Sequence, residues 1–170
     1  KQMLAYSGKG KFLLENIKLN SLLGEMREFL KTSIGKNASM EISLEDTPPI
    51  YGDTGLIQQL VLNLVMNAAE SVKETGGEVS IKTFLKEFSS EELIKSRIQK
   101  IPTAGKFICL EIRDTGCGIP EKDQPHIFEP FFTTKMKGRG LGMSAVSGIV
   151  HSHKGAIFLE SKPGKGTKIQ

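Results

Sequence analysis

The chain has 170 residues, of which 38% are hydrophobic and 25% charged, a composition typical of one globular domain that can bury a core. Its net charge of +4 arises from interspersed basic and acidic residues, which argues against a nucleic-acid partner. Two cysteines do not make a disulfide framework, and no apolar run approaches the length of a membrane helix. A cytoplasmic location is therefore expected, with membrane anchoring of a longer parent protein left open.

The first part of the chain predicts a linker, a helix and a strand. Residues 1–12 form the linker, because closely spaced glycines interrupt any helix there. The helix begins at a cap on Asn20 or Ser21 and ends near Ser33. Residues 39–44 alternate between polar and apolar and predict a half-buried strand. The apolar face of the helix is formed by Leu22, Leu23, Met26, Phe29 and Leu30.

The longest predicted helix begins at Asp53, a good N-cap, and runs to about Lys73, ahead of a glycine pair. Polar residues interrupt its apolar sequence at helical spacing, which places them in one stripe. An amide within a largely apolar helix lowers stability unless it has a partner, so two asparagines one turn apart suggest a shared polar ligand such as Mg²⁺. A plain solvated face is an equally good interpretation. The polar stripe consists of Gln59, Asn63, Asn67 and Glu70.

The second half of the chain predicts alternating strands and a helix. A charged segment over about 86–105 is interpreted as a surface insertion between two neighbouring strands. Residues 114–142 form a long connection without a core element, which is typical of a functional lid. The pattern predicts an α/β (α+β) two-layer sandwich, with helices on one face of a mixed sheet. The remaining elements are strands over about 78–85, 106–113, 156–161 and 166–170, and a helix from about Leu141 to Ser152.

A carboxylate followed by glycines ends one of these strands. Asp114 is followed by Thr-Gly-Cys-Gly-Ile over 115–119. Glycines at such a position let the backbone lie close to a flat ligand. The carboxylate can accept a hydrogen bond from an exocyclic amine such as that of adenine. An ordinary Asp-Gly turn is the alternative.

Further motifs suggest a phosphate site and a lid. Gly138, Gly140 and Gly142 precede the last predicted helix, and helix N-termini bind anions through bare N–H groups and the helix dipole. The pattern matches neither the P-loop nor the dinucleotide-binding fingerprint. Three phenylalanines within 127–135 would dock on the body of the protein and anchor the lid. Residues 164–167 form a turn into the final strand, and each motif alone also fits an ordinary turn.

Taken in this order, the motifs resemble the ATPase domain of bacterial sensor histidine kinases. The wider class, with its Bergerat-type fold, includes DNA gyrase, mismatch-repair ATPases and a heat-shock chaperone. The resemblance covers roughly residues 20–170. The matches are Asn63 and Asn67 to the asparagine box, 114–118 to the first glycine box, 128–135 to the phenylalanine box, 138–142 to the second glycine box, and 164–167 to the last glycine motif.

The resemblance implies that residues 13–170 form an ATP-binding catalytic domain with a mobile lid over about 119–140. By similarity, Asn67 is the Mg²⁺ ligand and Asn63 lies beside the phosphates. Asp114 would accept a hydrogen bond from the adenine amine, helped by a water and Thr167. The other residues implied in ATP binding are Glu70, Lys73, Gly116, Gly118, Ile119, Phe128, Thr134, Lys135, Gly138, Arg139, Gly140, Leu141, Gly142 and Met143.

One position separates the branches of this superfamily. The ATP-hydrolysing branch carries a Glu one turn before the metal-binding Asn, where this chain has Asn63. Without that base water is a poor nucleophile, and the γ-phosphate is kept for a histidine. The resemblance therefore implies an ATP-dependent protein histidine kinase. The alternatives are an ATPase clamp of the gyrase or mismatch-repair type, and a nucleotide-binding scaffold without catalysis.

None of the three histidines fits the phosphoryl acceptor. His126 lies in the predicted lid and lacks the acidic neighbour of the family's acceptor, while His151 and His153 lie at a helix end and do not share a face. The resemblance places the acceptor upstream, on a dimerising helical hairpin. Residues 3–7 resemble the tail of that hairpin. It also implies a homodimeric parent and a response regulator receiver domain as the next partner. The 170 residues alone are expected to be monomeric and inactive in phosphotransfer.

Overall fold

The computed structural model describes residues 13–35, 37–74, 76–98, 100–134 and 140–170. The predicted linker over 1–12 lies outside them. In chain order the elements are β1 (Glu15–Ile17), α1 (Leu19–Ile34), β2 (Ala38–Leu44), β3 (Ile50–Gly52), α2 (Thr54–Val72), β4 (Gly77–Phe88), α3 (Ser90–Leu93), β5 (Gly105–Asp114), α4 (Gly142–Ser152), β6 (Leu159–Lys162) and β7 (Gly166–Ile169).

A mixed five-stranded sheet organises the molecule, in the order β2-β4-β5-β7-β6. The β2–β4 pair is parallel and the other pairs are antiparallel. This arrangement confirms the predicted α/β sandwich with a mixed sheet. Separately, β1 and β3 form a two-stranded antiparallel sheet that the sequence patterns did not indicate, because three-residue strands are too short to show periodicity.

The main core lies between one face of the sheet and three helices. The central helix, α2, packs against α1, α4 and strands β4, β5 and β7. Apolar spacing along each helix explains this arrangement, since residues three and four apart share one face. Asp53 caps α2 as predicted, because its side chain accepts a hydrogen bond from Leu56 N. The fully buried side chains of this core include Leu23, Leu30, Val61, Val65, Ile81 and Ile157.

The β4–β5 connection packs on the opposite face of the sheet. Leu93, at the end of α3, is fully buried in a cluster with Phe88 and Cys109. Because β4 and β5 extend further than predicted, the connection covers only residues 89–104. Its helix, α3, has four residues and begins with a capping box on Ser89. The connection therefore contributes a second, smaller core.

Two predictions about α1 are wrong. The helix follows Lys18 and has no side-chain cap. Asn20 instead donates from Nδ2 to Glu45 O (2.6 Å) and accepts from Thr83 Oγ1 (2.7 Å) through Oδ1. Thr83 lies on β4 and Glu45 follows the end of β2, so local sequence pattern could not reveal these contacts. Phe29 is 60% exposed, because it lies at the edge of the apolar stripe rather than within it.

Candidate functional site

The two asparagines of α2 face the beginning of α4. Asn63 and Asn67 are half-buried and one helical turn apart. A Cβ added at Gly142 would lie 3.8 Å from Asn63 Oδ1 and 4.0 Å from Asn67 Nδ2. The structure therefore brings the asparagine motif and the second glycine motif together, although they are about 75 residues apart in the sequence.

The start of α4 has the features of an anion site. Its N-cap residue, Leu141, makes no side-chain cap hydrogen bond, and no acidic residue occupies the first turn. The first N–H groups of an α-helix lack helical partners and lie at the positive end of the dipole. Glycine at 142 leaves room between these groups and the asparagine amides. This geometry suits phosphate oxygens placed between the two helices.

Asp114 lies at the end of β5, between β4 and β7. It is 5% exposed and stands opposite Val79 on one side and Thr167 on the other. Its Oδ1 accepts hydrogen bonds from Ser71 Oγ (2.9 Å) and Gly116 N (2.9 Å). The carboxylate is thus buried and held by neutral donors, as expected for a group that receives a ligand's amine.

At two positions of the first glycine motif, neighbouring atoms lie so close that only glycine fits. A Cβ at Gly116 would overlap Ser71 Oγ and the Ser71 carbonyl. At Gly118 the backbone has φ +69°, and a Cβ would overlap the carbonyl of Lys162. Both sites therefore exclude a side chain. The loop runs tightly between α2 and the β6–β7 hairpin.

The β6–β7 hairpin closes the other side of this loop. Ser161 Oγ accepts from Ile119 N (2.8 Å) and lies 2.9 Å from Thr167 Oγ1. Gln124 donates from Nε2 to Ile119 O (3.0 Å) and Ser161 O (3.1 Å). Sequence patterns indicated Ile119 and Thr167 but missed Ser161 and Gln124. A polar residue in a strand or turn gives no local sign of such long-range pairing.

The phenylalanine segment docks through one ring rather than three. Phe128 packs against the main core. Phe132 is half-buried, with its ring centroid 5.7 Å from that of His126. Phe131 is 76% exposed, so the expectation that all three rings dock is wrong. With φ at +67°, the backbone at Phe131 turns this side chain away from the body.

Two residues of the predicted lid over about 119–140, Phe131 and Gly140, meet at a backbone hydrogen bond. Phe131 N donates to Gly140 O (2.9 Å), and Gly140 has φ +63° with no room for a Cβ beside Phe131. Between Asp114 and Gly142 the described residues contain no helix or strand, as the sequence predicted. Lys135, Gly138 and Arg139, which the resemblance implies in ATP binding, lie outside the described residues.

The structure also describes five further residues that the resemblance implies in ATP binding. Glu70 and Lys73 are exposed on the last turns of α2, beyond Asn67. Thr134 and Leu141 are exposed at the two ends of the undescribed stretch. Met143, in the first turn of α4, is half-buried and packs against the main core.

Other candidate sites are less suitable for a charged ligand. An apolar cavity of about 560 Å³ lies beside β5, away from the asparagine and glycine motifs, and its lining includes Leu110, Val146 and Phe158. Among the residues that the structure describes, no group of three His, Cys, Asp or Glu side chains could hold a metal ion. In the same part of the chain, no helix is both long and apolar enough to cross a bilayer.

Comparison with known families agrees with this geometry. Residues 52–170 match the family described as histidine kinase-, DNA gyrase B- and HSP90-like ATPases. The chain belongs to this ATPase family. The matched region contains α2, the strands around Asp114, the predicted lid and α4, which carry the asparagines, Asp114 and Gly142.

The curated relatives of this ATPase domain are sensor kinases. Sensor kinase CckA of Brucella abortus is 35% identical over 173 residues, covering 100% of this chain and 18% of that protein. Sporulation kinase A of Bacillus subtilis is 34% identical, covering 92% of this chain and 23% of that protein. The chain thus spans about a fifth of the length of these two relatives.

Solved structures show the same fold. The mycobacterial sensor histidine kinase MprB superposes with a TM-score of 0.68 at 26% identity, covering 92% of this chain and 94% of that one. The catalytic domain of histidine kinase ThkA gives a TM-score of 0.64 at 25% identity, with coverages of 94% and 95%. Full-length ShkA in complex with AMPPNP gives 0.71 at 20% identity over 94% of this chain, a likeness of fold alone.

Proposed function

We propose that this ATPase-family domain binds Mg²⁺-ATP and donates the γ-phosphate to a histidine outside these 170 residues. The observation that carries the proposal is one polar stripe on α2 that runs from Asn63 through Asn67 to Ser71 and would line the nucleotide cleft. Asn63 and Asn67 lie at one end of it, beside the start of α4. Ser71, one turn further on, contacts the buried Asp114. Eight helical residues span about 12 Å, a length comparable to that of a nucleoside triphosphate.

In this proposal each end of the stripe binds one end of the nucleotide. Asp114 accepts a hydrogen bond from the adenine amine, and the loop through Gly116 and Gly118 lies against the base. The phosphates lie between the asparagines and the N-terminus of α4, where N–H groups and the helix dipole neutralise negative charge. Residues 119–140 act as the lid, with Lys135 and Arg139 as its cations.

The residues present suit one magnesium ion. Asn67 offers an amide oxygen, a hard ligand of the kind that Mg²⁺ accepts, and Asn63 lies one turn away. The described residues provide no acidic cluster, so the remaining ligands would be phosphate oxygens and water, which is usual for Mg²⁺ in nucleotide sites. When bound, the ion neutralises charge on the transferring phosphate.

The stripe favours transfer over hydrolysis. Asn63 cannot act as a general base, so the cleft activates water poorly. The domain supplies orientation and charge neutralisation, on which phosphoryl transfer chiefly depends. His153 is engaged in the fold, because its Nε2 accepts a hydrogen bond from Asp53 N at 3.0 Å. His126 lies within the predicted lid, where its Nδ1 is 2.9 Å from Glu129 Oε1.

The proposed acceptor is therefore a histidine on a dimerisation domain of the same parent protein. From there the phosphoryl group would pass to a response regulator receiver domain. Such a parent is a homodimer with its catalytic domain in the cytoplasm. The lengths of the sensor-kinase relatives support this proposal, since each extends far beyond the region that this chain matches.

Calorimetric titration of the 170-residue protein tests the binding step. ATP with Mg²⁺ should bind more tightly than GTP with Mg²⁺, and chelation of the metal should weaken ATP binding. Asn67→Asp should abolish phosphotransfer to an added histidine-bearing domain while thermal unfolding stays cooperative. Asn16→Asp, the same change on the exposed strand β1, is the control. Undiminished transfer by Asn67→Asp would remove the proposed metal role.

A further inference from the structure

Ser71 is held against the base end of the cleft by several contacts. Its hydroxyl donates to Asp114 Oδ1 (2.9 Å), and its carbonyl accepts from Cys117 N (3.4 Å). Gly116 lies so close that a Cβ there would overlap both the Ser71 hydroxyl and its carbonyl. Helix α2 and the glycine loop are therefore joined at this one residue.

These contacts restrict the Asp114 carboxylate. The terminal torsion of an aspartate side chain is broad and soft, so a carboxylate held by one donor can rotate. Here Ser71 Oγ on α2 and Gly116 N in the glycine loop both donate to Oδ1. Donors on two different segments restrict that rotation, and the Ser71 hydroxyl is the one of these two donors that a side-chain substitution can remove.

We propose that Ser71 is a positioning residue for base selection: its hydroxyl fixes the Asp114 carboxylate in the orientation that accepts the exocyclic amine of the purine. This role rests on the proposed ATP-binding function. Ser71 acts through Asp114 and not on the phosphates, which lie one and two turns away along α2. Its removal therefore lowers the preference for a 6-amino purine more than it lowers binding of the triphosphate itself.

The test compares ATP with inosine triphosphate, which carries a carbonyl in place of the amine. Dissociation constants for both, with Mg²⁺, are measured on the 170-residue wild-type protein and on Ser71→Ala. The wild-type protein should prefer ATP, and Ser71→Ala should reduce that preference about five- to tenfold. This is less than the roughly 10- to 150-fold loss expected if the charge-assisted hydrogen bond were removed altogether, because the carboxylate is displaced but still present. Ser33→Ala removes a hydroxyl that donates to Phe29 O within α1 and should leave the preference unchanged.

A double-mutant cycle separates positioning from a general structural role. In an Asp114→Ala background no carboxylate remains to be oriented, so adding Ser71→Ala should leave the ATP preference unaltered. An equal loss of preference in both backgrounds, or an unchanged preference in Ser71→Ala alone, would overturn the positioning role. A wild-type protein that binds neither nucleotide, or both equally, would overturn the proposed function and this role with it.

Discussion

Replacing Asp114 with alanine is the most direct perturbation of the proposed base site. Asp114 is 5% exposed, so in Asp114→Ala bulk water cannot readily replace the carboxylate as the hydrogen-bond acceptor for the bound amine. A hydrogen bond to a charged group contributes about 1.5–3 kcal/mol. At about 1.4 kcal/mol per factor of ten, Asp114→Ala should raise the Kd for ATP about 10- to 150-fold. Binding of inosine triphosphate, which lacks the amine, should change far less.

Calorimetric titration at 25 °C with Mg²⁺ present measures both constants. Asp46→Ala serves as the control, because Asp46 is an exposed aspartate just beyond the end of β2. That end of β2 pairs with β4 at Thr83, whereas Asp114 pairs with β4 at Val79, so the control residue lies away from Asp114. Circular dichroism checks that both variants remain folded. The reasoning would be refuted if ATP and inosine triphosphate lost equal affinity, since Asp114 would then support the fold of the cleft rather than contact the base.

Two further predictions concern stability. Leu93→Ala should lower the free energy of unfolding by about 2–5 kcal/mol, because it empties a fully buried position in the second core. Ile94→Ala, at a neighbouring position that is 66% exposed, should change the free energy of unfolding by under about 0.5 kcal/mol. Urea titration measures both variants, and equal effects would mean that the β4–β5 connection is not part of the fold. Burial raises the pKa of the Cys109 thiol above its ordinary value of 9.0, so above pH 9 the unfolded chain releases this proton before the native protein does. The free energy of unfolding should therefore fall as pH rises from 9 to 10, and it should fall less steeply in Cys109→Ala. Identical slopes of unfolding free energy against pH in the two proteins would contradict this prediction.

Local sequence pattern was enough to predict the central elements of the fold. Helix α2 and its aspartate cap lie within residues 53–72 and include an apolar stripe and a polar stripe. Such periodicity depends only on neighbours along the chain. The strand ending at Asp114 was equally clear. The short strands β1 and β3 were not predictable from local pattern, because their stability comes from pairing with each other and from the core they cover.

The motifs also indicated the residues of the proposed site, since Asn63, Asn67, Asp114 and the glycines stand out against their surroundings. The sequence did not indicate the side chains that hold the motifs in place. Ser71, Gln124 and Ser161 are ordinary polar residues whose partners lie 5 to 43 positions away. Their effect depends on which strands and loops become neighbours.

The sequence by itself thus determined the class of fold, the order of the motifs and the chemistry each motif could offer. Tertiary structure decided which motifs meet: the pairing of β5 with β7 places Thr167 beside Asp114, and the packing of α4 on α2 places Gly142 beside the asparagines. The physical reason is range. Periodicity and capping are set by contacts within a few residues, whereas a binding site is set by contacts between segments that only the packed core brings together.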